Sequence, residues 1–228
     1  MNYLEKDFKL FAKDKGINPN TIDSFNKHNI KNGYVTPYVL EERNLNVSSL
    51  DIYSRLLMDR ILFLNTEINS DVAGIVSAQL LWLNQQGETD ITLQISSPGG
   101  CIYSGLEIMD TMNFISPDVA TISMGMVASM ATVLASSGTK GKRSILPHAR
   151  FLVHQPLSSM PYGQASDLTI HVNEVNALKK ELYDILSYNS GLPYDEIEKM
   201  CDRDCILTAQ QAVEKGFLDK VININKNE

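Results

Sequence analysis

From residue 50 onward the apolar residues switch repeatedly between a spacing of two and a spacing of three or four, and that alternation leaves few folds open. Leu56, Leu57 and Ile61–Leu64 are expected to run into a short buried strand. Ser70 and Asp71 are expected to start a helix. Its apolar face is Val72, Ile75, Val76, Leu80 and Leu83, and Gly87 ends it. Ile91, Leu93 and Ile95 alternate with Thr92 and Gln94, which is a strand pattern. Leu106, Met109 and Met112 mark the next helix, and Val119–Met124 the next strand. The small apolar residues 128–138 indicate a fully buried helix, and Phe151–Val153 a further strand. Leu168, Val172, Val175, Leu178, Leu182, Ile185 and Leu186 recur at helical steps over one long segment. Thr208 and Gln211 form a capping box for a short helix closed by Gly216, and Phe217–Ile222 is expected to be a last strand. Alternating strands and helices imply an α/β fold with parallel strands, without an internal repeat or a second domain.

The 228 residues are 43% hydrophobic, enough for one sizeable core. The net charge is -7, with acids and bases scattered along the chain, and the absence of a basic stripe argues against nucleic acid as a partner. Three cysteines, at 101, 201 and 205, fit a reducing compartment better than a disulfide framework. No apolar run approaches the roughly 20 residues of a membrane span. The N-terminus lacks the apolar stretch of a secretory signal, and its acids argue against a transit peptide, so a cytoplasmic location is expected. Residues 1–35 are rich in Asn and Lys and are expected to be a variable arm or leader, with Leu4, Phe8 and Phe11 forming one helical stripe. Residues 36–228 are expected to be a single domain.

In α/β folds chemistry collects in loops at the carboxyl ends of strands. Three such ends stand out: Ser97-Pro98-Gly99-Gly100, Gly125–Met130 and His154-Gln155-Pro156. Ser129 falls at the start of a helix, where unpaired N–H groups favour an oxyanion; the competing reading is a plain helix cap. Gly99 and Gly100 allow a sharp turn, or an edge along which a peptide pairs as a strand. His154 ends an apolar strand and has the residue type of a base for a serine hydroxyl. By residue type alone His148, His171 and His28 are rivals. Asp204 is one of 27 acids, and composition does not select it.

A resemblance does select it. Asp51–Leu57, Ile95–Gly100, Met124–Met130, Gly141–Arg143, Leu146–Arg150, His154–Leu157, Gly163–Asp167 and Asp202–Asp204 resemble, in order and spacing, the signatures of the Clp protease proteolytic subunits. The match runs from about residue 37 to the C-terminus. It implies a crotonase-like fold, in which ββα units form a superhelical head domain and a protruding handle helix spans about residues 165–188. It implies a serine endopeptidase acting on unfolded polypeptides, with Ser129 as nucleophile, His154 as base and Asp204 as the acid that orients it. The N–H groups of Gly100 and Met130 would form the oxyanion hole, and Gly99, Gly100, Gln155 and Pro156 the edge that binds substrate.

The same resemblance implies a homo-oligomer of two stacked heptameric rings. The segment near Tyr38–Asn46 would lie close to an axial pore. An AAA+ unfoldase of the ClpX or ClpA/ClpC kind would supply the ATP, with no metal and no cofactor in this subunit. Thr92, Gln94, Ser144 and Phe114 match positions where the unfoldase docks; the first three are polar here where aromatic residues are common. Ser158-Ser159-Met160-Pro161 replaces a more glycine-rich stretch, and Cys205-Ile206 a commonly aromatic pair. Cys201 and Cys205 are expected to be ordinary thiols. Two other readings compete: a catalytically silent ring subunit that serves structure or docking, and an acyl-CoA enzyme on the same fold.

Overall fold

The structure, a computed structural model, describes residues 38–43, 46–159 and 162–222. The expected stripe of Leu4, Phe8 and Phe11, the arm to residue 35, and Met160-Pro161 lie outside the described residues. The chain divides into two compact units, one reaching Arg55 and the other starting at Leu56.

The first unit contains an antiparallel hairpin of β1 (Tyr38–Arg43) and β2 (Asn46–Asp51), with Tyr38 opposite Asp51. Asp51 leads into helix α1 (Ile52–Met58). Its carboxylate accepts from the backbone N–H of Ser54 at 3.0 Å and from the Ser54 hydroxyl. Leu56 and Leu57 therefore sit in a helix and not in the expected strand, because Asp51 caps a turn that starts just before them.

The second unit is built on a seven-stranded sheet. Strands β3 (Ile61–Leu64), β4 (Ile91–Ser97), β5 (Val119–Ala128), β6 (Arg143–Ile145) and β9 (Lys220–Val221) lie side by side in parallel. Strand β7 (Arg150–Val153) also pairs with β5, in parallel, and carries β8 (Cys205–Thr208) antiparallel on its far edge. The mixed α/β architecture with its parallel sheet agrees with the crotonase-like expectation. The antiparallel β8 was not expected; its four residues are too few to show a period.

The helices form where expected, with small shifts of boundary, but Ile75, expected on the apolar face of the helix starting near Ser70, is 60% exposed. Helix α2 (Ser70–Gln85) is capped by Asn69, whose side chain accepts from Val72 N, so the cap lies one residue before the expected start. Ala73, Val76, Leu80 and Leu83 of α2 are buried. Its C-terminal end is closed from outside by Arg60, whose guanidinium donates to the carbonyls of Leu83 and Gly87. Helix α3 (Ile102–Phe114) packs beside α2. Helix α4 (Met130–Ser136) has every residue buried, as its small side chains required. Helix α5 (Ala165–Ser190) is the long one, and its buried residues Leu178, Leu182, Tyr183 and Leu186 all fall in its second half. Ile170 and Val172, in its first half, are exposed. Two short helices follow, α6 (Tyr194–Cys201) and α7 (Ala209–Glu214), the latter with the full Thr208–Gln211 capping box. The final strand is shorter than expected, covering only Lys220–Val221.

One buried ion pair ties these layers together. Arg143, at the start of β6, donates to Asp219 at 2.7 Å, and the two side chains are only 4% and 17% exposed. Its remaining donors reach the carbonyls of Ser136, Asn189 and Gly216, at or near the C-terminal ends of α4, α5 and α7. Burial pushes the Asp219 carboxyl up. The hydrogen bonds and charge of Arg143, with the Gly141 N–H, outweigh this and hold it below the usual carboxylate range. Its folded pKa is thus lower than its unfolded one, so the pair contributes stability above the unfolded value of about 4 and loses it as pH falls through the lowered value. Removing one partner leaves the other charge buried and unpaired. Asp219→Ala should therefore cost about 3–5 kcal/mol at neutral pH and weaken the loss of stability on acidification. Urea unfolding of both proteins at several pH values tests this; a cost below about 1 kcal/mol, in the range of a surface pair, would overturn it.

Candidate active site

The site begins in the middle of β5. Ile95 of β4 faces Ser123, but Ser97 faces Val127, so β5 carries extra residues around Gly125. Gly125 has φ 55°, a left-handed conformation in which a side chain is strained. The bulge redirects the end of the strand toward Ser129.

Ser129 is itself strained, with φ 56° and ψ -129°. A non-glycine residue there costs of order 1–3 kcal/mol and persists only where its neighbours hold it. Here its N–H donates to Leu152 O at 2.9 Å, while its carbonyl accepts from Thr132 N at 2.9 Å and from Thr132 Oγ1 at 2.6 Å. Its side chain makes no capping hydrogen bond to α4, so the plain cap reading fails. The hydroxyl instead lines a cleft of about 260 Å³, together with Gly100, Met130, His154, Pro156 and Tyr183.

The Ser-Pro-Gly-Gly turn forms the opposite lip. Ser97 Oγ donates to Thr66 O at 2.6 Å and accepts from Gly99 N at 3.1 Å. Gly99 O accepts from Ile68 N, and Ile68 O from Cys101 N, both at 2.8 Å. The turn is thereby sewn to Ile68 on both sides of Gly100, whose own N–H has no partner among the described residues; the same is true of Met130 N. A Cβ on Gly99 would stand 2.6 Å from Ala128 O and 2.7 Å from Ser129 Cβ, closer than packing allows.

His154 follows β7. Its Nδ1 lies 3.3 Å from Asp204 Oδ1, with the imidazole 18% exposed and the carboxylate 71%. The sequence thus brings together Ser129, Gly100, Met130, His154 and Pro156 in one cleft, with Asp204 behind the histidine. Ser129 and His154 line the same cleft, and no hydrogen bond joins them among the described residues. The rivals fall elsewhere: His148 precedes β7, and the half-buried His171 of α5 contacts the Ser158 hydroxyl at 2.8 Å. Gln155 is turned away from the cleft: its backbone N–H donates to Cys201 O and its side-chain amide to Asp202 O.

The cleft wall was missed by sequence reasoning. Leu182, Tyr183 and Leu186 of α5 line it with Ile102, Val133 and Leu157. Their helical spacing carried only a core signal, which gives no hint that the same face borders a cleft. Cys201 lies beneath this region, 1% exposed, and burial pushes its thiol up to about 12, leaving it unreactive at neutral pH. Among the described residues no group of three or more His, Cys, Asp or Glu is arranged to hold a metal ion, and no helix is long and apolar enough to cross a membrane.

The polar residues Thr92 and Gln94 share one face of β4, and register places Ile122 and Ser144 in a row with Gln94. Ser144 is buried, at 5% exposure, on the floor of a hollow of about 560 Å³ with Ile122 and Lys220. Phe114 is 78% exposed at the end of α3.

Residues 43–225 match the Clp protease family. The chain is 47% identical over 222 residues to an ATP-dependent Clp protease proteolytic subunit of Porphyromonas gingivalis, covering 96% of this chain and 99% of that one. It is 50% and 49% identical, over 218 residues each, to proteins of the same description from Bacteroides fragilis and Bacteroides thetaiotaomicron. In both cases 95% of this chain and 98% of the relative are covered.

The approach of Gly99 to Ser129 makes a prediction about this lip. Gly99→Ala should push the turn away from the serine and cut peptide turnover by at least about 10²-fold, a loss of the size seen when one oxyanion donor is displaced. Gly87→Ala, which also has positive φ but nothing within 4 Å of its Cβ, should leave turnover unchanged. Steady-state cleavage of a fluorogenic peptide by both variants decides the matter; equal activities would refute the role of the close approach.

Proposed function

This chain belongs to the Clp protease family and is a peptidase, the proteolytic subunit of an ATP-dependent protease; on that premise we propose that Ser129, His154 and Asp204 are its catalytic triad. The observation that carries this reading is the strained Ser129 in one cleft with an imidazole whose other nitrogen meets a carboxylate at 3.3 Å. His154 takes the hydroxyl proton as Ser129 Oγ attacks the peptide carbonyl. Asp204 fixes the tautomer that leaves Nε2 free and stabilises the imidazolium. The developing oxyanion accepts from the N–H groups of Gly100 and Met130, which have no partner among the described residues. The protonated His154 then gives its proton to the leaving amine, and water releases the acyl group by the same steps in reverse order.

The substrate lies extended along the Gly99–Gly100 lip and past Pro156, pairing as a strand. An apolar side chain next to the scissile bond fills the pocket of Leu182, Tyr183 and Leu186. The subunit works in the cytoplasm without a metal or cofactor of its own, and ATP is spent by an AAA+ unfoldase of the ClpX or ClpA/ClpC kind. Two heptameric rings stack, with the exposed first half of α5 as the handle between them. Residues 1–35 form a variable arm or leader, and the segment near Tyr38–Asn46 borders the pore. The unfoldase docks on the row of Thr92 and Gln94, with Ser144 at its floor and Phe114 as an apolar anchor.

Ser129→Ala should lower peptide cleavage by roughly 10⁴ to 10⁶ while the native assembly keeps its mass. His154→Ala should be comparably inactive, and His148→Ala should match the wild type. Retention of more than a few per cent of activity by Ser129→Ala would overturn the assignment. The proposed rings would enclose the active sites behind a narrow pore, which makes a second, independent prediction: short peptides are cleaved by the subunit alone, whereas a stably folded protein is not. Efficient digestion of such a protein without ATP or partner, followed by gel electrophoresis, would contradict it.

A further inference from the structure

The carboxylate of Asp204 is 71% exposed, and among the described residues it has no partner besides His154. An ion pair this exposed contributes little, too little to fix the side chain and the turn that bears it. Something else must hold the 201–204 turn against His154. The antiparallel ladder of β7 and β8 runs Arg150↔Thr208, Phe151↔Leu207, Leu152↔Ile206 and Val153↔Cys205, and stops there. The next step would set residue 154 opposite residue 204, and those are the two whose side chains meet. One residue further, Gln155 N donates to Cys201 O at 2.8 Å, and the Gln155 side-chain amide donates to Asp202 O at 3.1 Å.

We propose that Gln155 is a positioning residue: its side-chain amide clamps the 201–204 turn so that Asp204 meets His154. The proposal rests on the triad reading above. Asp204 is bracketed by a backbone pair on one side, Val153 with Cys205, and by the Gln155 clamp on the other. Cys201, 1% exposed, and Ile197, fully buried, root the turn in the core, so the clamp joins two fixed elements. Among the described residues the amide is the side-chain group that reaches across besides His154 itself. Misplacement of a catalytic group by about 1 Å can cost as much as 10²-fold in rate, so a single side-chain hydrogen bond that sets the turn is enough to matter.

Gln155→Met keeps roughly the length and packing of the side chain and removes the amide, whose N–H is the group bonded to Asp202 O. Asp202 O is then left to water, which costs little. The expected result with a fluorogenic peptide is a kcat about 10-fold lower, with KM within about twofold of the wild type. In an Asp204→Ala background the same substitution should change the rate of Ser129 labelling by a fluorophosphonate less than about twofold, because the group it positions is gone. Gln155→Lys, which restores a donor of similar reach, should recover kcat to within about threefold of the wild type. Melting temperatures of all variants accompany the kinetics, and Gln155→Lys carries the test if the Met variant fails to fold. A raised KM at unchanged kcat would assign Gln155 to the substrate edge and overturn the clamp. An undiminished 10-fold loss in the Asp204→Ala background, or no loss in Gln155→Met, or no recovery in Gln155→Lys, would also overturn it. Full activity of Asp204→Ala itself would sink the triad reading and this inference with it, whereas an inactive Asp204→Ala with an unaffected Gln155→Met sinks the clamp alone.

Discussion

Strand β5 changes partners halfway along its length, and the site exists because it does. Its first half, Thr121–Ser123, pairs with β6, and its second half, Met126–Ala128, pairs with β7 on the same side. Two strands cannot occupy one stretch of one edge, so β5 must turn between them, and Gly125 in a left-handed conformation is where it turns. A side chain there would add strain of roughly 1–2 kcal/mol at a position already forced by the bulge. Beyond the turn, β5 delivers Ser129, held by Leu152 O of the same β7 that ends at His154. The nucleophile and its base are therefore positioned by one strand pairing. The strain at Ser129 is tolerated because bonds from both sides over-determine it.

The cleft wall depends on a second anchor farther away. Arg143 sits one strand over from β5 and binds carbonyls at or near the C-terminal ends of three helices, where the aligned backbone dipoles favour a cation. One of these is Asn189 O, near the end of α5. Fixing that end fixes Leu186 and Leu182, about one and two turns earlier, and these line the cleft. A buried pair of this kind contributes little net energy compared with an apolar replacement, since desolvation offsets most of the attraction. Its value here is geometric: four elements meet on one planar guanidinium.

What was legible in the sequence was local. The alternation of Ile91, Leu93 and Ile95 reported β4, and the Thr208–Gln211 pair reported α7, because both signals lie within a few residues. Leu56 and Leu57 were misassigned because two apolar residues beside Ile61–Leu64 look like one run, and only Asp51, capping from the N-terminal side, divides them. Strand β8 is four residues long and owes its existence to β7, more than 50 residues earlier, so no short window contains its cause. The site divides the same way. Ser129 and Gly99–Gly100 announced themselves as strand ends. Asp204 was indistinguishable from other acids until a family resemblance selected it, since its partner is 50 residues away. The Gln155 clamp, spanning 47 residues, was equally invisible, and Gln155 read instead as part of the substrate edge.

The unequal exposure of the two charged partners follows from the same economy of placement. His154 must face the cleft, so its ring is mostly covered, at 18% exposure. A carboxylate buried beside it would suffer a desolvation penalty of several kcal/mol, which a single imidazole hardly offsets. Leaving Asp204 71% exposed avoids that penalty. The cost is that water competes for the carboxylate and its rotamers are free. Its direction must then come from the backbone that carries it. That places the demand on the 201–204 turn, and explains why an exposed acid is attached to a fully buried helix end at Cys201, and why both neighbours of His154 reach across to the segment that holds it.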